Sequence, residues 1–73
     1  MKGAPMKLSA RNQMRGTVSA IKEGAVEAQV TLDVNGQKIT AVVTMDALAD
    51  LGLAVGSPAI AIVKADNVML ATD

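Results

Sequence analysis

Chemistry in this chain has to come from a short inventory. There is no His and no Cys, so catalysis would rest on Ser, Thr, Lys, Asp or Glu. No two carboxylates pair on adjacent apolar ground. Asp46 and Asp50 stand one helical turn apart and read as the solvated face of a helix. The acid-rich spacing of a calcium loop is missing, as are the two commonest zinc ligands. This inventory points away from an enzyme. What remains is a set of hydrogen-bond donors: Ser9-Ala10-Arg11-Asn12 near the start, and Lys64-Ala65 at the end of the most apolar segment. Ser, Arg, Asn and Lys all donate. Converging donors with positive charge and no carboxylate describe an anion site. Taken alone, Ser-Ala-Arg-Asn also reads as an ordinary edge strand, and Lys64 as a solvated strand end.

The elements that must position these donors are mostly strands. The clearest is the stretch from Val26 to Thr44. Val26, Ala28, Val30, Leu32 and Val34 alternate with Glu27, Gln29, Thr31 and Asp33, the period of a strand with one buried face. Asn35-Gly36 follows, and both residues tolerate the positive φ of a two-residue type I′ turn. A turn of that length sets the register. Leu32 then faces Ile39, Val30 faces Ala41 and Ala28 faces Val43 on the apolar side. Asp33 faces Lys38 and Thr31 faces Thr40 on the other. A slip of one residue would turn every one of these to the wrong face.

Before the hairpin, residues 1–5 have no pattern and read as a disordered extension, with a single domain over 6–73. Lys7 to Arg15 suits a strand. Gly16 to Glu23 holds Val18, Ala20 and Ile21, and its alternation breaks between Ala20 and Ile21 as at a β-bulge. After the hairpin, Thr44 can cap a helix of about two turns in which Met45, Leu48 and Leu51 share a face, ending at Gly52. Such a helix would aim its first backbone N–H groups at a bound anion. Val55 to Pro58 is a turn. Ala59 to Lys64 is apolar on both faces, which places it centrally in the sheet or under a partner subunit. Asp66-Asn67 is another turn, and Val68 to Ala71 a last short strand. Five or six strands around one short helix make a mainly β protein, a small OB-like Greek-key barrel.

Composition narrows the function further. The chain has 73 residues, so it holds one domain. A domain this small buries only about 60% of its unfolded surface and commonly needs a staple. Without Cys, His, Phe, Tyr or Trp, disulfides and the two commonest zinc ligands are removed and the core is thin, so the expected staple is oligomerisation. Seven basic residues balance seven acidic ones. A neutral chain without aromatics lacks both the charge and the stacking platforms of a nucleic-acid binder. No apolar run approaches the ~20 residues of a membrane span, and no signal-peptide core follows Met1-Lys2. The absence of Cys is compatible with the cytoplasm.

The order Ser9-Ala10-Arg11-Asn12-Gln13, Gly16-Thr17-Val18, Gly24-Ala25-Val26, Val43-Thr44-Met45-Asp46 with Leu48, Val55-Gly56, and Val63-Lys64-Ala65 resembles the molbindins. These are the Mop-type molybdate-binding domains related to TOBE modules of molybdate transporters and regulators. The likeness runs from about Met6 to the C-terminus. It implies an OB-like barrel whose first strand crosses to a partner, and a homohexamer built as a trimer of dimers. It also implies cytoplasmic, non-enzymatic binding of molybdate or tungstate between subunits, with no organic cofactor, for storage, buffering or homeostasis of molybdenum. On the family pattern, Ser9, Ala10, Arg11 and Asn12 join Thr44, Lys64 and Ala65 around the oxyanion. Where the family commonly has Ser, this chain has Ala47, which removes one donor. A second oxyanion site would use backbone near Gly24, Ala25 and Val26. Molybdate offers four acceptor oxygens and nothing to donate, which suits a site made only of donors. The competing readings are an OB-like oligomerisation or regulatory module whose anion site is weakened or lost, favoured by Ala47, and a nucleic-acid-binding OB fold, opposed by charge and composition.

Overall fold

The computed structural model describes residues 11–73. The extension expected over 1–5, the strand expected to open at Lys7, and the candidate ligands Ser9 and Ala10 lie outside the described residues. Within them the chain runs β1 (Asn12–Glu23), β2 (Glu27–Val34), β3 (Gln37–Thr44), α1 (Met45–Leu51) and β4 (Pro58–Val63), followed by a 3₁₀ turn over Ala65–Asn67. The strands form one antiparallel sheet in the order β3-β2-β1-β4. It curls into a half-barrel with α1 packed on β2 and β3.

The β2–β3 hairpin has the expected register: Leu32 pairs with Ile39, Val30 with Ala41, Ala28 with Val43, Thr31 with Thr40 and Asp33 with Lys38. Asn35 and Gly36 carry φ of 52° and 89°, the conformation that matches a type I′ turn to the strands' twist. Ala28, Val30 and Leu32 are buried with Val18 and Leu48, and Ile21, Val43, Ala59 and Ala61 pack against them. Burying a Val or Leu side chain is worth about 1.5–3 kcal/mol, so five residues make a small core.

β1 does two jobs. Its first half, Asn12 to Thr17, pairs with β4, and its second half, from Thr17 on, pairs with β2. The handover is tight. A Cβ on Gly16 would collide with the Asp33 carbonyl oxygen and come within 2.8 Å of Val34 Cγ2. The register shift lies between Val18 and Ala20, earlier than the break expected between Ala20 and Ile21. The reason is packing on both sides of Val18. Its N–H donates to the Ser57 carbonyl at 2.9 Å and its carbonyl accepts from Gly56 N–H at 2.8 Å. Ser19 is the extra residue, and Val18 and Ile21 both reach the core while Ala20 faces out.

Several expectations are corrected. Val26 precedes β2 and is exposed, because the strand starts at Glu27. Leu51 is exposed although it follows Met45 and Leu48 at helical spacing, because α1 ends there at Gly52 and only Leu48 is covered. Of the two placements expected for β4, central in the sheet or under a partner subunit, the first is not found: among the described residues β4 is an edge strand. Residues 68–71 form no strand, and Met69 and Leu70 are more than nine-tenths exposed, so their apolar character finds no cover in this chain's described residues. Four strands are therefore present among the described residues instead of five or six. Among the described residues β3 and β4 are the edges of the sheet, and between them lies an apolar concavity of about 610 Å³ whose lining includes Val30, Leu32, Ile39, Val43, Ala59 and Ala61.

Candidate oxyanion-binding site

β1 and β4 bring the first group of donors together. Asn12 pairs with Val63 at the end of the ladder, so Arg11 and Lys64 leave two adjacent strand ends side by side. Asn12 Nδ2 donates to the Val63 carbonyl at 3.1 Å. That bond satisfies the last β4 carbonyl and fixes the backbone from which Lys64 emerges. It uses one of the two N–H groups of the amide and leaves the other available. Arg11, Lys64 and Ala65 are exposed and Asn12 is half-buried. Lys64 then caps the 3₁₀ turn, its carbonyl accepting from Asn67 N–H at 2.9 Å.

Among the described residues the ion pair found is Asp33–Lys38, at 3.4 Å. Arg11 and Lys64 therefore have no carboxylate partner there, although Asp66 follows two residues after Lys64. Residues 1–10 contain no Asp or Glu. Like charges held on neighbouring strand ends are unfavourable, and a small anion between them reverses that term. No group of three His, Cys, Asp or Glu among the described residues could hold a bare metal cation.

Thr44 and Ala47 belong to a second cluster. Thr44 ends β3 opposite Glu27 and is the N-cap of α1, where its Oγ1 accepts from Ala47 N–H at 3.0 Å. The hydroxyl keeps its own proton to donate. Met45 N–H is spent on the Val26 carbonyl at 2.8 Å. Two of the first-turn N–H groups expected to face an anion are thus already used inside the chain, and Asp46 puts a carboxylate in that turn. The Val26 contact places Gly24, Ala25 and Val26 next to this cluster, with Gly24 N–H held by the Glu27 carbonyl at 2.8 Å.

The expected ligand set is therefore split within one chain. Arg11, Asn12, Lys64 and Ala65 lie at one end of β1. Thr44 and Ala47, with Gly24 to Val26, lie at the level of the other end, beyond Glu23. Twelve strand residues cover about 36 Å along the chain at about 3.3 Å each. Hydrogen bonds to one anion reach only about 3 Å. The sequence resemblance implied an anion held between subunits but not which donors share a chain, and sequence reasoning missed the Asn12–Val63 bond, because the β1–β4 pairing joins distant residues with no turn to set its register.

Known proteins bear on these donors. The TOBE domain model matches residues 8–70. The chain is 41% identical over 66 residues to molybdenum-pterin-binding protein 3 of Clostridium pasteurianum, a match covering 89% of this chain and 97% of that protein. Its fold is similar to that of a molybdate-binding protein from Sporomusa ovata, with a TM-score of 0.87 and 37% identity over 92% of this chain and all of that one. It is also similar to the cytoplasmic molybdate-binding protein ModG in a form with molybdate bound. There the TM-score is 0.84 and the identity 51%, over 88% of this chain and 46% of that one. The curled sheet, the single short helix and these matches agree: the chain belongs to the TOBE domain family, in its molbindin (Mop) branch.

Proposed function

We propose that this protein binds molybdate-class oxyanions without transforming them, at seams between copies of itself. The observation that carries the reading is the pair Arg11 and Lys64, on adjacent strand ends with no carboxylate partner among the described residues. A tetrahedral dianion accepts from every direction, and this end of β1 offers two cations, an amide N–H and backbone donors. We assign Ser9 and Ala10 to the same site on the family pattern. Thr44 belongs to it as a hydroxyl donor from another copy, because its own chain holds it at the far end of β1. Ala47 leaves that side one hydroxyl short of the common family pattern.

Assembly follows from the same geometry. The half-barrel has two free edges and an open apolar concavity, and its donors are complete only across a seam. A homohexamer arranged as a trimer of dimers, with tungstate as a second ligand and a backbone site near Gly24 to Val26, is the family arrangement we assign to it. The reading needs no organic cofactor, nucleic acid or membrane. The role is cytoplasmic storage or buffering of molybdenum. No described helix is long and apolar enough to cross a membrane.

The test is calorimetric titration with molybdate, tungstate, sulfate and phosphate, beside sedimentation at micromolar concentration. Arg11→Ala and Lys64→Ala should each weaken molybdate binding by roughly ten- to a hundredfold, the effect of losing one charge-assisted hydrogen bond, while the fold persists. Unchanged affinity in both variants moves the site elsewhere. Absence of binding by any of the four anions leaves the second reading, favoured by Ala47, of an assembly module whose anion site has been lost.

A further inference from the structure

Asn35-Gly36 heads the β2–β3 turn and carries a chemistry that the anion site does not use. In an Asn-Gly pair the glycine backbone nitrogen can attack the asparagine side-chain carbonyl carbon, since no glycine side chain shields it. The N–Cγ bond forms, the attacking N–H gives its proton to base, and the side-chain amide leaves as ammonia. A five-membered succinimide results. Water then opens the ring at either carbonyl, giving aspartate or isoaspartate, with no oxidant or reductant involved.

Both residues are exposed, so water and base reach them. The attacking nitrogen, however, is held. Gly36 N–H donates to Asp33 Oδ1 at 2.8 Å, and Lys38 Nζ lies 3.4 Å from Asp33 Oδ2. Attack requires this N–H to lose its proton and turn toward Asn35 Cγ. The Asp33 carboxylate opposes both steps: it accepts the proton as a hydrogen bond, and its charge disfavours an anionic nitrogen beside it. The turn itself, with Asn35 at φ 52° and Gly36 at φ 89°, is maintained by the strands on either side.

We propose that Asn35 is a latent self-modification site and that Asp33 is the positioning residue that keeps it closed. Succinimide forms only when the turn opens and Gly36 releases Asp33. The products matter to the fold. Either one adds a carboxylate two residues from Asp33. Isoaspartate also adds a methylene to the main chain of a two-residue turn, which disturbs the register pairing Leu32 with Ile39.

The experiment follows amide-to-acid conversion at Asn35 by peptide mass spectrometry during incubation at mildly alkaline pH. The full chain is compared with its Asp33→Ala and Asp33→Asn variants and with a synthetic peptide of residues 31–40. The folded chain should convert roughly tenfold or more slowly than the peptide, as local opening limits access. Asp33→Asn retains an acceptor oxygen but not the charge, and should convert at a rate between those of the wild type and Asp33→Ala. Asp33→Ala should move toward the peptide rate. Conversion of the wild type at the peptide rate, or an Asp33→Ala rate equal to wild type, overturns the proposal. Hydrogen exchange at the Leu32 and Ile39 amides checks that each variant keeps the hairpin. Should Asp33→Ala lose it, the wild-type Gly36 amide decides: slow exchange supports the clamp, and exchange at the peptide rate overturns it.

Discussion

The β2–β3 hairpin and the β1–β4 pair are both two antiparallel strands, yet they are specified in different ways. In the hairpin a two-residue turn sets the register, and alternation assigns the faces before anything else folds. Ala28, Val30 and Leu32 go in, while Gln29 and Thr40 stay out. β1 and β4 join residues roughly forty to fifty positions apart, with no turn between them to choose a register. β4 is apolar at every position from Pro58 to Val63, so alternation says nothing about its faces. Ala59 and Ala61 pack on the core, whereas Ile62 is left 43% exposed at a free edge. The hairpin is local and complete in one chain. The β1–β4 pair is long-range, and it ends at Arg11 and Lys64, which have no carboxylate partner among the described residues.

The contrast is sharpest in stability measurements. Leu32→Ala should cost about 2–5 kcal/mol in denaturant unfolding, at any protein concentration, as for other buried leucines. Ile62→Ala should cost well under half of that in a dilute, dissociated chain, because little apolar area is lost. It should lower stability further as concentration rises only if β4 is covered by a second copy. An Ile62 effect equal to that of Leu32 and independent of concentration would erase the distinction between the two regions.

Thr44 stands where the hairpin meets the helix, and its effect is next in size. Thr44→Ala removes the acceptor for Ala47 N–H and should cost about 0.5–2 kcal/mol by thermal or chemical unfolding. Thr44→Ser keeps the oxygen and should restore stability. Equal loss in both variants would mean that the methyl group's packing, and not the cap, is what matters.

The smallest effect concerns the exposed turn. Gly36 N–H first, and Lys38 second, hold the Asp33 carboxyl below its ordinary 3.8. A carboxyl lowered on folding contributes stability that is present above 3.8 and is lost as pH falls below it, through the folded value. Wild type should therefore lose slightly more stability than Asp33→Asn between neutral pH and pH about 3. Two parallel pH curves would show that the turn pays no part of the hairpin's stability through this charge.

Much of the fold was legible from residue types and their order. Alternation, Asn35-Gly36, the Thr44 cap and the Gly52 stop define β2, β3 and α1, because each rests on interactions within a few residues. The donor types Arg11, Asn12, Thr44 and Lys64 were equally plain, as was the absence of catalytic chemistry that His or Cys would bring. Tertiary structure decided the rest. It placed the bulge at Ser19, because Val18 is held by Gly56 and Ser57. It left Val26, Leu51 and residues 68–71 uncovered, since hydrophobicity says that a side chain prefers burial and not what is there to bury it. It also separated Thr44 from Arg11 and Lys64 by the length of β1. Local order determines which groups can donate to an anion. Only long-range pairing, set by packing between distant strands, determines which of those donors meet in one chain.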